Sequence, residues 1–193
     1  MARDDLALLE QYRAGRAEAL AELVERYRKP LFGFILNMTT AYDHADDLFQ
    51  EVWLRAIRNL DRFDNRNLLG WLFRIAHNLV VDQARRRKPD MSLDADNEEG
   101  ASLKDSLPDP SLTPDQAAAS RDQAVRIAQA VHSLAPEQKE VFLLRVEADL
   151  PFKEIAAIQG VSINTALGRM HYAVTRLRRI LDEDRDPAAC EAP

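Results

Sequence analysis

Two stretches of the chain concentrate the residues able to do chemistry, and in both the chemistry is binding. Between residues 71 and 88, Trp71, Arg74 and Asn78 lead into the run Arg85, Arg86, Arg87, Lys88. An indole that can stack on a base, an amide that can read a base edge and guanidinium groups that can hold phosphate form a set suited to nucleic acid. The helix dipole accounts for one or two cations at a helix C-terminus, not for four in a row. Between Ser162 and Arg179, the polar and apolar residues Ser162, Asn164, Thr165 and Leu167 precede Arg169, Tyr172, Arg176, Arg178 and Arg179. No acidic residue falls between Val161 and Leu181. Neither stretch holds a catalytic constellation. The single cysteine, Cys190, excludes an internal disulfide and a cysteine-based zinc site, and His44, His77, His132 and His171 are too dispersed for metal-ligand spacing. A non-enzyme without metal or other cofactor is expected.

The first stretch belongs to a longer unit from Asp46 to Lys88 that reads as two amphipathic helices joined by the short polar loop RFDNRN. In the first helix, Phe49, Val52, Trp53, Ala56 and Leu60 form the core stripe. Asp47, Gln50, Glu51, Leu54 and Arg58 lie on the other side as a mixed acidic and apolar strip. A polar strip is what any surface helix shows, but this one carries a leucine among acids and fits a protein-docking surface. In the second helix Leu72, Ile75, Ala76 and Leu79 face the core. Two helices precede this pair, from about Asp4 to Ala14 and from Ala17 to about Met38. Leu20, Leu23, Val24, Tyr27, Leu31, Phe34 and Ile35 keep to one face of the longer one, and Pro30 is expected to kink it or divide it at Lys29.

The formal net charge of −6 argues against nucleic acid only if the charge is spread evenly, and it is not. Residues 1–88 hold 15 Lys+Arg against 13 Asp+Glu, residues 89–120 hold 1 against 8, and residues 121–193 hold 10 against 11. The acidity sits in the middle, where residues 89–115 carry four prolines and too few large apolar residues to build a core. That segment reads as an acidic flexible linker between two domains. Few glycines and almost no period-two alternation point to an all-α chain. No apolar run approaches the roughly 18 residues of a membrane span, and the N-terminus lacks a signal-like apolar block, so no membrane insertion and a cytoplasmic location are expected.

The second domain runs from about Gln116 to residue 182, followed by a tail, 183–193. A helix from Gln116 to His132 precedes one that starts at Pro136, a residue suited to the first helical position, and ends near Val146. A short helix with Ile155, Ala156 and Ile158 then meets Gly160. Val161 supplies a core anchor, and Ser162 is a good cap for a final helix that buries Ala166, Met170, Ala173, Val174, Leu177 and Leu181. This is the layout of a helix-turn-helix whose second helix enters the major groove.

Taken together, the residues resemble the bacterial RNA polymerase sigma factors of the extracytoplasmic-function (ECF) group. DDLFQEVWLRAIRNLDRFD followed by WLFRIAHNLVVDQARRR resembles their polymerase-docking and start-proximal promoter region, and LAPEQKEVFLLRVEADLPFKEIAAIQGVSINTALGRM their upstream-promoter region. The resemblance spans about Leu20 to Leu181. It implies that residues 1–88 dock on core RNA polymerase and recognise the minus-ten element, and that the second domain reads the minus-thirty-five element of promoter DNA.

By the same resemblance, Asp47, Gln50, Glu51 and Leu54 match the helix that grips the coiled-coil clamp of the polymerase largest subunit. The loop Arg62 to Asn67, with Asn65, matches the segment that captures a base flipped from the minus-ten element. Asn78, Arg85, Arg86 and Arg87 match positions near duplex or melted DNA, with Trp71 and Arg74 beside them. The helix from Ile163 to Arg178 matches the minus-thirty-five reader. An anti-sigma factor is a candidate partner. The chain departs from the family pattern at Leu167 and Gly168, where a lysine and a serine are common, and at Tyr172, where an arginine is frequent. Leu167 is of a type to touch a thymine methyl. Two other readings use the same residues: a sigma-like decoy that binds an anti-sigma factor without initiating transcription, and a helix-turn-helix repressor that leaves the first block without a role.

Overall fold

The computed structural model describes residues 3–39, 42–60, 63, 67–87 and 114–183, and every regular element among them is an α-helix. The helices are α1 (Arg3–Arg13), α2 (Ala17–Met38), α3 (Tyr42–Arg58), α4 (Leu68–Arg87), α5 (Pro114–His132), α6 (Pro136–Val146), α7 (Phe152–Gln159) and α8 (Ile163–Glu183).

In the first unit, α1 to α4 pack around Leu23, Leu31, Phe34, Ile35, Val52, Leu72, Phe73 and Ala76, all fully buried. Burying each large apolar side chain contributes about 1.5–3 kcal/mol, and Phe34 meets Phe73 edge to face with ring centroids 5.1 Å apart. The anchor of α1 is polar. Asp5 is buried and accepts from Arg26 Nη1 at 2.7 Å and from the Tyr27 hydroxyl at 2.5 Å. Burial and that carboxylate push the Tyr27 phenol up, so it stays a donor at any ordinary pH.

The expected division at Pro30 does not occur, because α2 passes through it as one helix. A proline inside a helix forfeits a hydrogen bond and costs about 3 kcal/mol. Here Leu23 on one side and Leu31, Phe34 and Ile35 on the other are fully buried, so packing holds both halves in one helix.

The second unit is built as expected around a tight turn. Gly160 takes the left-handed conformation, φ 65°, that ends α7, and Val161 N donates back to Ala156 O at 3.0 Å. Ser162 Oγ then accepts from Thr165 N at 3.1 Å and caps α8, which buries Ala166, Ala173 and Leu177. One boundary shifts: α5 already includes Pro114 and Asp115, which the composition places in the linker. A proline can open a helix because the N–H it lacks has no intrahelical acceptor there. The rest of that linker, and the tail with Cys190, lie outside the described residues.

The two units are in contact, with α6 against α2 and α7 against α4. Lys139 and Glu140 of α6 are both buried. Lys139 Nζ donates to Asn37 O at 3.3 Å, and Glu140 meets His77 Nδ1 of α4. At the other contact Asn67 Nδ2 donates to Glu154 of α7. Gly70 makes this approach possible, since a Cβ there would stand 2.7 Å from Glu154 Oε2.

Candidate polymerase and nucleic-acid interfaces

On α3 the residue pattern separates two faces. Phe49, Val52, Trp53 and Ala56, with Leu60 just past the helix end, are buried, while Asp47, Gln50 and Arg58 are exposed and Glu51 is half-buried. Leu54 points outward and is 46% exposed. Side-chain bonds along the helix hold the polar neighbours in place: Gln50 Nε2 to Asp46 Oδ2 at 2.8 Å and Arg55 Nε to Glu51 Oε1 at 2.7 Å. The result is an apolar knob within a polar, mainly acidic strip.

On α4, Trp71, Arg74, Ile75, Asn78, Asp82, Arg85 and Arg86 fall on one side at helical spacing. Arg74, Asn78, Arg85 and Arg86 are exposed. Arg87 continues the helix, and its side chain lies outside the described residues, as do Arg62 and Asn65 of the loop. Asp82 is an exposed acid within this otherwise cationic face.

Of the segment RFDNRN, the described residues Phe63 and Asn67 serve packing and capping. Phe63 is buried and packs on Trp71 with ring centroids 5.0 Å apart and planes 31° apart. Asn67 is half-buried and works as the cap of α4, its Oδ1 accepting from Gly70 N at 3.0 Å. Its remaining amide group is engaged by Glu154.

Beside Trp71 the structure adds two residues that sequence reasoning leaves unassigned, Arg55 and Asn59. Arg55, Asn59, Trp71, Ile75 and Asn78 line a groove of about 240 Å³ between α3 and α4. Asn59 Nδ2 donates to Arg55 O at 2.8 Å. Arg55 and Asn59 escape notice in the sequence because they sit at the margin between core stripe and outward strip. Their i, i+4 spacing opposite the i, i+4, i+7 set Trp71, Ile75, Asn78 is the available signal.

On α8, Asn164, Thr165, Leu167, Tyr172 and Arg176 are exposed, with Leu167 at 44% and Tyr172 at 64%. Ser162 and Thr165 are also bonded to each other, Oγ to Oγ1 at 2.8 Å. Arg169 is half-buried, and its Nη1 donates to Gln159 Oε1 at 2.8 Å. Gln159 Nε2 in turn donates to Glu140 Oε2 at 2.6 Å. A polar chain therefore runs from Arg169 through Gln159 and Glu140 to His77 in the first unit. Among the described residues no group of three or more His, Cys, Asp or Glu is placed to hold a metal ion, and no helix is long and apolar enough to cross a membrane.

Comparison with known proteins identifies the two halves of the chain. Residues 23–89 match Sigma-70 region 2, and residues 124–177 match Sigma-70 region 4. The chain is 31% identical over 176 residues to the ECF RNA polymerase sigma factor SigW of Bacillus subtilis, covering 90% of this chain and 94% of that one. It is 29% identical over 178 residues to the RNA polymerase sigma factor CarQ of Myxococcus xanthus, covering 91% and 96%. Among solved structures, CnrH in complex with the cytosolic domain of CnrY aligns with a TM-score of 0.65 at 25% identity, over 94% of this chain and 99% of that one. The fold is also that of RpoE in complex with the anti-sigma factor NepR from Bartonella quintana, TM-score 0.68 at 22% identity over 87% and 99%. Sigma factors are initiation factors rather than catalysts, and a repressor acting without polymerase would leave the region 2 match without a role. The chain belongs to the extracytoplasmic-function sigma factors, the RNA polymerase subunits that direct transcription to selected promoters.

Proposed function

We propose that α3 carries the core-polymerase contact through Asp47, Gln50, Glu51 and Leu54. The minus-ten contacts belong to the loop from Arg62 to Asn67 with the α4 face Trp71, Arg74, Asn78, Arg85, Arg86 and Arg87. The minus-thirty-five contacts belong to α8 from Ser162 to Arg176. The chain divides into a first domain, 1–88, and a second, 116–182, joined by the acidic segment between them. It works in the cytoplasm, has no catalytic activity, and needs no metal or nucleotide of its own. An anti-sigma factor is a partner, as it is for the RpoE structure that shares this fold.

The observation that carries the polymerase assignment is Leu54, 46% exposed among polar neighbours on a helix whose other side is core. An apolar residue within a charged rim is the composition of an interface anchor. Replacing Leu54 with Ala is expected to change stability by no more than about 0.5 kcal/mol and to weaken core-polymerase binding at least tenfold, about 1.4 kcal/mol. Equal core affinity of a folded Leu54→Ala variant would move the docking surface elsewhere.

A further inference from the structure

Gly168 lies in the interior of α8, where glycine is the least favourable residue apart from proline. Nothing among the described residues asks for it. A Cβ at this position would meet no atom within 4 Å, and its backbone is not in the left-handed region. Its presence is therefore not explained by packing among the described residues, and the open space beside it faces outward from the helix's own contacts. The neighbouring surface is equally out of keeping with a merely solvated helix: Ile163 and Leu167, one turn apart, are 45% and 44% exposed. Arg176 and Arg178 are exposed further along, and no acidic residue interrupts the helix before Asp182. A surface that combines apolar groups near the helix start, a missing side chain and cations beyond is complementary to a polyanion that presents methyl groups. The major groove is such a surface at A·T pairs, where thymine exposes its 5-methyl group.

We propose that Ile163 and Leu167 read thymine methyl groups in the upstream promoter element, and that Gly168 lets the α8 backbone approach the groove closely enough for them to do so. This rests on the assignment of α8 to the minus-thirty-five element. It makes upstream recognition in this chain depend on apolar contact at these two positions, with hydrogen bonds left to Asn164 and the flanking residues.

The test uses the full chain bound to core polymerase and a promoter it selects from genomic fragments, with each upstream thymine replaced in turn by deoxyuridine. At one or two positions, loss of the methyl group is expected to weaken binding about fourfold. The Leu167→Ala holoenzyme is expected to bind thymine and uracil probes equally at the position Leu167 reads. Gly168→Ala is expected to raise the melting temperature of the free chain, because alanine is the better helix former, and yet to weaken upstream-dependent binding at least fivefold. That opposition separates close approach from a general defect. Parent-like promoter binding by Gly168→Ala overturns the close approach. Indifference of the parent to uracil at every upstream thymine, or unchanged uracil sensitivity in Leu167→Ala, overturns the methyl reading while leaving the sigma-factor assignment intact. A parent that binds core polymerase but selects its promoters without any upstream dependence overturns the assignment of α8 as well.

Discussion

Lys139 shows most clearly how one residue reports on the molecule. Its side chain lies at the contact between the units, and burial lowers the pKa of its ammonium group below the ordinary lysine value of 10.5. In the pH range between that lowered value and 10.5 the unfolded chain binds a proton that the folded chain does not. Stability contributed at this site therefore rises as pH rises through that range, and the cost of the buried charge is fully present below it. Replacing Lys139 with Met is expected to stabilise the protein at neutral pH, because a paired or buried charge is often improved by an apolar residue of similar size. The advantage over the parent should shrink towards pH 10.5, which urea titrations across pH would measure. A difference independent of pH would show that Lys139 loses its proton no more easily than an exposed lysine. Little of this was legible in the sequence. Lys139 and Glu140 stand in a run that reads as an ordinary helix start, PEQKE, and their partners lie far back in the chain, Asn37 at 102 residues and His77 at 63. No periodicity encodes such a pairing.

The helices themselves were legible, since spacing alone separates Phe49, Val52, Trp53 and Ala56 from Asp47, Gln50 and Leu54. So was the turn at Gly160 with the cap at Ser162, because each needs a residue type that few others replace. Pro30 and Phe63 were not, for one reason: both are decided by packing that outweighs local preference. On α4 the exposed Arg85 and Arg86 stand one turn beyond Asp82 and two turns beyond Asn78. If they hold phosphate, changing both to Gln should weaken all promoters alike and lower the salt slope of promoter binding by about one for each phosphate no longer neutralised. An unchanged slope would confine their role to the helix dipole. Asp82→Asn, which removes the acid from the same face, should strengthen promoter binding without changing sequence preference. On α8, Ser162→Ala removes a cap bond and is expected to cost about 0.5–2 kcal/mol of stability, read as a fall in melting temperature. A melting temperature unchanged by that substitution would mean that the Ser162 to Thr165 bonds do not support the helix.

At the scale of the whole molecule, residues assigned to promoter DNA also hold the two units together. Asn67 is bonded to Glu154 across the contact, and Arg169 rests on Gln159, which leads to Glu140 and His77. Gly70→Ala would put a Cβ 2.7 Å from Glu154 Oε2. That oxygen ends a flexible side chain, so it should swing away and loosen the contact without unfolding either unit. Amide exchange in α7 is expected to rise while the α2 and α3 cores keep their protection; parent-like exchange in α7 would mean that Glu154 contributes little to the docking. A molecule that directs RNA polymerase to promoters must support initiation in run-off transcription with purified core polymerase on genomic fragments. Addition of the chain is expected to produce transcripts from a small set of defined start sites, with the signal reduced about tenfold or more in Leu54→Ala at limiting protein and reduced at every start site in the Arg85, Arg86 double variant. Stable binding to core polymerase with no defined start site on any fragment would contradict that role and leave a module that occupies polymerase without initiating.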